Sequence, residues 1–542
     1  MCAVTGGHLN RHVVLIHPPA ISKRYLKTKF MPYGMSVLYS FLREHGVALE
    51  QHDFLMEYLF RADEDIDYHN PEKTFSERDF FSFLDGSASS QDLEAFTAKY
   101  GNRIRPDAQI YAFSIVAYHQ FWASLLLARH LRSINPGSVI VFGGPFITIK
   151  PSRSYVMYGQ ADYWIKGSGE IPLLMLHRMM CGDRRISVEQ IPGLVAVDGN
   201  RLQEFGVARL PAEQERMPDF HGLALEPYRY NHPVSGTHTL FLPYRVSKGC
   251  PSRCSFCTGR LVDRYDHKSV EKIVNEVKAL AEKYGTHTFQ FADASINGNP
   301  GRLAEVCDRL AQEFPEIRWY SYAKVNGFTR ELLSKVKNAG CFALFWGVES
   351  AYQPTIRLLG KRFDVENLYA LIDHSGTVGI KSYIHLIYNT PHESEHDVRA
   401  LTGLIERYID SDHVVFLPQR FLLEAHSLMY EHPDRYGLSN IRKVEAGVFE
   451  REQFLYDETS GLTSEDVRKR NERHRAMLAD HLEWIRYRNM VNGSSGGWIS
   501  RLPPKLLVRS GKLARRSGLA RKVHEGLVGW IQARSPDIRE QL

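Results

Sequence analysis

A chain of 542 residues exceeds one ordinary core, so about two to four domains are expected. Its 43% hydrophobic and 24% charged content is that of a soluble globular protein, and a net charge of +6 on this length gives no electrostatic case for nucleic acid. Seven cysteines, an odd number with three clustered, exclude a disulfide framework and fit a reducing cytosol.

The first apolar run, residues 13–16, is closed by His17-Pro18-Pro19 and is too short for a signal peptide. No run approaches the roughly 18 apolar residues of a membrane span, so a cytoplasmic location is expected. Residues 12–17 read as a strand, residues 33–44 as a helix with Met35, Leu38, Tyr39 and Leu42 at helical spacing, and residues 48–54 as a second strand. The polar stretch 60–105 reads as an insertion with short helices. Residues 108–116 are a third strand, 121–131 an apolar helix, and 138–142 a fourth strand ending in Gly143-Gly144-Pro145. Residues 161–165 are a fifth, ending in Gly167-Ser168-Gly169-Glu170. This alternation predicts a doubly wound parallel sheet. Glycines at such strand ends let a ligand approach the backbone, although tight turns carry them too. Residues 186–235 cross over: 194–200 open a small hairpin at Asp198-Gly199, and the Pro218 and Pro227 segments predict an extended surface linker.

Residues 247–260 read Ser-Lys-Gly-Cys-Pro-Ser-Arg-Cys-Ser-Phe-Cys-Thr-Gly-Arg, which places Cys250, Cys254 and Cys257 in the spacing Cys-x3-Cys-x2-Cys. The apolar stretch before them, 240–246, reads as a buried strand, which Pro243 weakens by removing a ladder donor. Three thiolates this close can wrap one corner of an iron–sulfur cube and leave one iron open for chemistry. A structural zinc site is the plainer alternative, but no second Cys-x2-Cys follows and His267 stands alone. Cys2, Cys181, Cys307 and Cys341 are scattered and read as small core residues or inert thiols. An amphipathic helix from Val270 follows. Strands at 288–292, 319–325, 342–347, 381–388 and 413–416 then alternate with helices at 300–314, 329–339 and 365–378. Residues 464–487 form a long charged helix, and 492–497 a flexible break.

The cysteine spacing, with the aromatic Phe256 just before the third cysteine, resembles the signature of the radical S-adenosylmethionine (SAM) enzymes. The resemblance implies a [4Fe–4S] cluster on Cys250, Cys254 and Cys257, with Phe256 beside the cofactor. It also implies SAM held by the open iron through its amino and carboxylate groups, cleavage to a 5′-deoxyadenosyl radical, and an electron donor such as flavodoxin or ferredoxin. The strand–helix units resemble the family's partial (β/α)6 barrel, with functional residues at the carboxyl ends of strands. Asp293 ends the second strand and can accept from the SAM ammonium, although Phe291-Ala292-Asp293 stands where the family has a Gly-Gly-Glu-like segment. Asn297 either helps there or forms the turn before Gly298. Gly347-Val348-Glu349-Ser350 ends the fourth strand, where the resemblance puts Glu349, with Ser350, at the SAM ribose; a buried salt bridge is the alternative. Residues 388–393 resemble the Gly-x-Pro-Gly-Glu turn of relatives with Asn389 and His392 replacing both glycines, and Glu393 is expected to cap the next helix.

As a set, Pro18, Pro19, Ser114, Gly143, Gly144, Gly167, Gly169 and Glu170 resemble the cobalamin-binding domain that precedes the radical barrel in one branch of the family. Cobalamin is thereby implied as a further cofactor. The Asp-x-His-x-x-Gly loop that often supplies the lower cobalt ligand is absent. Its only near match is Asp67-Tyr68-His69, with Glu72 in the glycine's place, so His69 is not expected to ligate cobalt.

The expected fold is α/β: a cobalamin-binding-like, Rossmann-type doubly wound parallel sheet (1–185), a linker (186–235), a partial (β/α)6 radical SAM barrel (236–425) and a helical C-terminal region (426–542). The expected reaction is cobalamin-dependent C-methylation of an unactivated carbon in a small-molecule, peptide or lipid intermediate. The alternatives are a non-methylating radical rearrangement, oxidation or cyclisation on the same scaffold, and a non-catalytic metal-binding scaffold. The last forty residues are basic, with Arg501, Lys505, Arg509, Lys512, Arg515 and Arg516 interleaved with leucines. They are expected to pack as a helix with a solvated basic face or to touch a membrane surface peripherally; aromatic stacking platforms for nucleic acid are lacking there.

Overall fold

The computed structural model describes residues 12–21, 31–60, 75–149, 158–198, 201–231, 237–445, 449 and 452–493. The chain folds as two units. The first takes its described residues from Met1–Arg229, Leu261–His267 and Glu445–Arg451, and the second from the remainder.

In the first unit, Val13 to Ile16 are buried on both sides, as a strand covered on two faces requires. They lie in β1 (Val13–His17), flanked in parallel by β2 (Leu49–Asp53) and β3 (Ile110–Ser114). The parallel sheet continues through β4 (Val139–Gly143) and β5 (Tyr163–Ile165). β6 (Leu194–Asp198) and β7 (Arg201–Glu204) then add on antiparallel, giving the order β2-β1-β3-β4-β5-β6-β7. Period-two alternation sorts the strands: Val14, Ile16, Tyr111 and Phe113 join one core, and Val13, Leu15, Ile110 and Ala112 the other. α1 (Tyr33–Glu44) packs in the second of these cores. Reversal of strand order between β1 and β3 opens a crevice outside their carboxyl ends, where open α/β sheets bind ligands.

Two expectations change here. The stretch read as a polar insertion holds α2 (Glu77–Asp85) and α3 (Gln91–Gly101), whose Phe80, Phe83, Leu93, Phe96 and Tyr100 recur at helical spacing and are buried in the core. The expected linker 186–235 is largely integral to the first unit. Its hairpin is β6–β7, and beyond it Phe220 and Tyr228 are buried. There the buried Glu215 accepts from Tyr33 Oη (2.7 Å) and Asp219 pairs with Arg43 (2.8 Å). Buried carboxylates with partners on α1 anchor a segment that its prolines alone mark as loose.

The second unit is a sheet of six parallel strands in sequence order: β8 (Leu242–Tyr244), β9 (Thr288–Phe291), β10 (Arg318–Ala323), β11 (Cys341–Glu349), β12 (Lys381–Tyr388) and β13 (Val414–Arg420). Helices follow in turn: α4 (Val270–Tyr284), α5 (Pro300–Glu313), α6 (Arg330–Asn338), α7 (Gln353–Leu358), α8 (Val365–Thr377) and α9 (Glu395–Tyr408). Pro243 is accommodated because β8 is an edge strand, paired only with β9. On β10 to β12 the fully buried residues, such as Trp319, Trp346 and Ile384, alternate with partly exposed ones on the other face. An antiparallel pair, β14 (Leu438–Lys443) and β15 (Phe454–Glu458), precedes the long α10 (Ser464–Gly493), which packs along α9 and β13. No helix among the described residues is long and apolar enough to cross a membrane.

Candidate functional site

The cysteine loop leaves β8 under the control of Asp293. This residue, 1% exposed at the end of β9, accepts from the backbone N–H of Val246 (3.1 Å) and Ser247 (2.6 Å) and from Ser247 Oγ (2.5 Å). Burial pushes its carboxyl up to about 6, while these donors draw it down. Instead of facing an open site, Asp293 aims the loop. Asn297, also buried, ties the ends of two strands together: it donates to Lys324 O (2.9 Å) and Asn326 O (3.1 Å) and accepts from Lys324 N–H (3.0 Å).

The loop rests on the turn 358–361, just after α7. Ser255 donates through its N–H to Leu359 O (3.0 Å) and through its hydroxyl to Leu358 O (2.8 Å), and its carbonyl accepts from Met429 N–H (2.9 Å). Gly360 sits at φ +72°, and a Cβ there would lie 2.9 Å from Arg253 O and 3.4 Å from Cys254 Cα. Only glycine lets this turn approach the cysteine loop. Cys250 and Cys254 are partly buried and Cys257 is exposed; Gly259 N–H points at Cys257 Sγ (3.3 Å), a bond that favours a ligating thiolate. No three His, Cys, Asp or Glu side chains among the described residues surround a single ion position. Ligands that each meet a different iron of a cube need no such convergence.

Glu349 stands on the same turn's other side. It adopts φ +69°, and its Oε1 lies 2.8 Å from Lys361 Nζ, which also donates to Gly347 O (2.9 Å). Lys361 Nζ is 5.8 Å from the centre of the Phe256 ring. Burial works against the Lys361 charge, but Glu349 and the thiols of Cys254 and Cys257 raise it above an ordinary lysine. The turn 358–361 thus joins the cysteine loop, Phe256 and Glu349. Sequence reading overlooked Lys361; a lysine directly after the glycine of that turn was its only local signal. Ser350 is buried and accepts from Tyr352 N–H (3.1 Å), which shapes the chain after β11.

The turn after β12 corrects one expectation. Ser394 and Asp397 cap α9 in a capping box, and Glu393 does not. Glu393 instead accepts from Asn389 N–H (2.5 Å) and pairs with His474 Nδ1 (2.8 Å) on α10. Asn389 (φ +61°) and His392 (φ +56°) both occupy the left-handed region that favours glycine. His392 is held there by Glu458, which accepts its backbone N–H (2.8 Å) and pairs with its ring (3.2 Å) and with Arg470 (2.8 Å).

In the first unit, the loops after β3, β4 and β5 are knit together. Ser114, partly buried, ends β3, and Ile115 N–H then donates to Gly143 O (2.9 Å). Thr148 Oγ1 donates to Gly144 O (3.0 Å) and accepts from Gly167 N–H (3.0 Å). Pro18 and Pro19 are buried, with Gln120 Nε2 donating to Pro18 O (2.9 Å); Glu170 is buried at the start of the helix Glu170–Met180. The four glycines divide by cause. A Cβ on Gly144 would meet Ile115 O at 2.5 Å, and on Gly167 would meet Ala208 O at 2.1 Å, so the chain's own packing demands both. At Gly143 and Gly169 the nearest atom would be 3.7 Å away, an ordinary contact. Val116, which follows Ile115, is 51% exposed. Asp67, Tyr68, His69, Glu72, Cys2 and the basic tail from 501 lie outside the described residues.

The Radical SAM superfamily profile matches residues 244–405. The chain is 23% identical over 411 residues to an uncharacterized methyltransferase of Pyrococcus horikoshii, covering 74% of this chain and 79% of that protein. It is 22% identical over 335 residues to an anaerobic magnesium-protoporphyrin IX monomethyl ester cyclase of Synechocystis, covering 59% and 61%. Its fold is similar to that of the radical S-adenosylmethionine methyltransferase TsrM from Kitasatospora setae, solved with cobalamin and a [4Fe–4S] cluster. That likeness has a TM-score of 0.62 at 16% identity and covers 93% of this chain and 100% of that one.

Proposed function

We propose that the chain is a radical SAM enzyme and a cobalamin-dependent C-methyltransferase acting on a small-molecule, peptide or lipid intermediate, supported by the Radical SAM superfamily match over residues 244–405 and the likeness to a methyltransferase. When bound, the cluster supplies reductive cleavage of SAM and the cobalamin supplies a methyl group. The chain's own residues do the holding. Cys250, Cys254 and Cys257 are the cluster ligands, presented on a loop that Asp293 aims and Ser255 pins. Glu349, held in place by Lys361, accepts the SAM ribose hydroxyls, with Ser350 shaping the chain beside it and Phe256 packing nearby. In this reading the first unit carries the cobalamin at the carboxyl edge of its sheet, against Gly143 and Gly169, with Pro18, Pro19, Ser114 and Glu170 framing the edge. Gly144 and Gly167 shape the loops. A flavodoxin- or ferredoxin-like electron donor and a cytoplasmic location complete the reading. The likeness to a cyclase favours, as a second reading, radical chemistry without methyl transfer.

The observation that carries the cobalamin assignment is the pair of glycines, Gly143 and Gly169, at which an added Cβ would make only ordinary contacts. Gly143→Ala is expected to leave the melting temperature unchanged and to weaken cobalamin retention through gel filtration at least tenfold. Gly144→Ala, forced against Ile115 O, is expected to destabilise the fold itself, by roughly the 1–3 kcal/mol typical of overpacking. Anaerobic, reconstituted wild type is expected to retain cobalamin and to form 5′-deoxyadenosine from SAM. Wild type that retains no cobalamin would overturn the methyl-transfer reading, and no 5′-deoxyadenosine would overturn radical chemistry.

Glu349→Gln is expected to weaken SAM binding with iron content intact. Loss of a charge-assisted bond costs about 1.5–3 kcal/mol, roughly tenfold or more in affinity. Calorimetric titration of SAM checks this, with Lys361→Met as the comparison. An unchanged affinity in Glu349→Gln would reduce the Glu349–Lys361 pair to a structural salt bridge.

A further inference from the structure

The second sheet carries an aromatic face that no cofactor role uses. Tyr320 and Tyr322 on β10, Phe345 on β11, and Tyr383 and His385 on β12 are the partly exposed members of their strands, and period-two alternation sets them on one face. Register aligns Tyr322 with Phe345 and Phe345 with Tyr383. A register shift near Trp319 and Tyr320 pairs them with Cys341 and Ala343, so the register steps past Phe342. Such a bulge re-aims a side chain, and Phe342 joins the same cluster, 5.8 Å from Tyr320 between ring centres.

Together these residues enclose a cavity of about 190 Å³ lined by Phe241, Tyr320, Phe342, Ala343, Phe345 and Tyr383, completed by Tyr230. No lining side chain is charged. Burial raises the phenols of Tyr320 and Tyr383, the latter to about 12, so they stay neutral hydrogen-bonding groups. An anion would enter without a counter-charge, which is costly. A cation would gain little, because Lys381 Nζ already lies 5.9 Å from the centre of the Tyr383 ring, and Phe345 stacks on that ring at 4.3 Å and 7°. A neutral ring packed among these aromatic side chains is the complement.

We propose that this cavity binds an uncharged aromatic ring of the substrate, a conclusion that rests on the enzymatic reading above. Phe345 precedes Glu349 by four residues on β11, about 13 Å at a strand's rise. The ring held here is therefore the anchoring end of the substrate, remote from the carbon that reacts. Tyr322 and His385, with ring centres 5.8 Å apart, flank the strands between the two ends. The volume accommodates a one- or two-ring group.

Indole is the probe, titrated into the full-length reconstituted protein and followed by calorimetry and ligand-observed NMR, with tetramethylammonium and inorganic phosphate as charged comparators. Saturable indole binding is expected, with neither ion competing. Ala343→Leu, which fills the cavity, is expected to weaken indole binding at least tenfold, and Tyr383→Phe, which keeps the ring, to retain it. Should Ala343→Leu fail to fold, Ala343→Val is expected to give a smaller, graded loss. Absence of saturable binding, equal binding in the filled variants, or preference for tetramethylammonium would overturn the proposal. None of these measurements needs SAM turnover. Their failure beside intact 5′-deoxyadenosine formation would refute the substrate class alone, and absent 5′-deoxyadenosine formation would refute the enzymatic reading instead.

Discussion

Cys254→Ala is expected to yield folded protein that retains no [4Fe–4S] cluster and forms 5′-deoxyadenosine only at background. Cys254 is the middle of three thiols on one short loop, and two thiolates cannot hold a cube against solvent and oxidant. The fold is expected to survive because the loop is fastened by other atoms: Ser255 N–H and Oγ on Leu359 and Leu358, Met429 N–H on Ser255 O, and Gly360 against Arg253. Iron and sulfide analysis after anaerobic reconstitution checks the first part, and the melting temperature the second. Cys181→Ala, in the other unit, serves as the control that keeps its cluster. Wild-type iron content and SAM cleavage in the Cys254 variant would show that the cluster assignment is wrong.

Arg470→Met is expected to produce a large loss of stability in the second unit, up to about 3–5 kcal/mol, because it leaves a buried carboxylate with only His392 as partner. The Glu458 side chain is 1% exposed and that of Arg470 10%, and they meet at 2.8 Å. Burial alone would raise the Glu458 carboxyl, but its bonds from His392 and Arg470 draw it down to about 2. At about 2–4 °C per kcal/mol for a unit of this size, the melting temperature should fall by roughly 6–20 °C. Replacing both partners, Arg470→Met with Glu458→Gln, should recover part of the loss, since no charge is then left buried. A wild-type melting curve in the single variant would mean that Glu458 is not ionised in the fold.

The same cluster sets a pH window. The His392 imidazolium is held above its ordinary value chiefly by its bond to Glu458, so its contribution is complete below about 6.5 and is lost as pH rises through the raised value. The Glu458 contribution is complete above about 4.5 and is lost as pH falls toward 2. Stability of the wild type should therefore decline on both sides of a mildly acidic plateau, and the Arg470 variant should lose part of the acid limb, His392 keeping the rest.

What the sequence by itself determined is what neighbours in the chain decide. The Cys-x3-Cys-x2-Cys spacing, the helical recurrence of Met35, Leu38, Tyr39 and Leu42, and the strand-then-glycine endings of β4 and β5 are all local, and each was readable without the fold. Tertiary structure alone decided which role each residue takes, because the deciding partner lies far along the chain. Asp293 serves Ser247, 46 residues before it; Glu393 serves His474, 81 residues after it; and Pro243 is tolerated because its strand has one neighbour and not two. Even the separation of 12 positions from Glu349 to Lys361 spans a helix and a turn that no pattern ties to the cysteine loop. Glycine shows the division most plainly. Gly143 and Gly144 are identical in sequence, yet a Cβ on one would meet a carbonyl at 2.5 Å and on the other nothing nearer than 3.7 Å. Steric need is set by whatever the fold brings against a residue, and a residue's type does not record that.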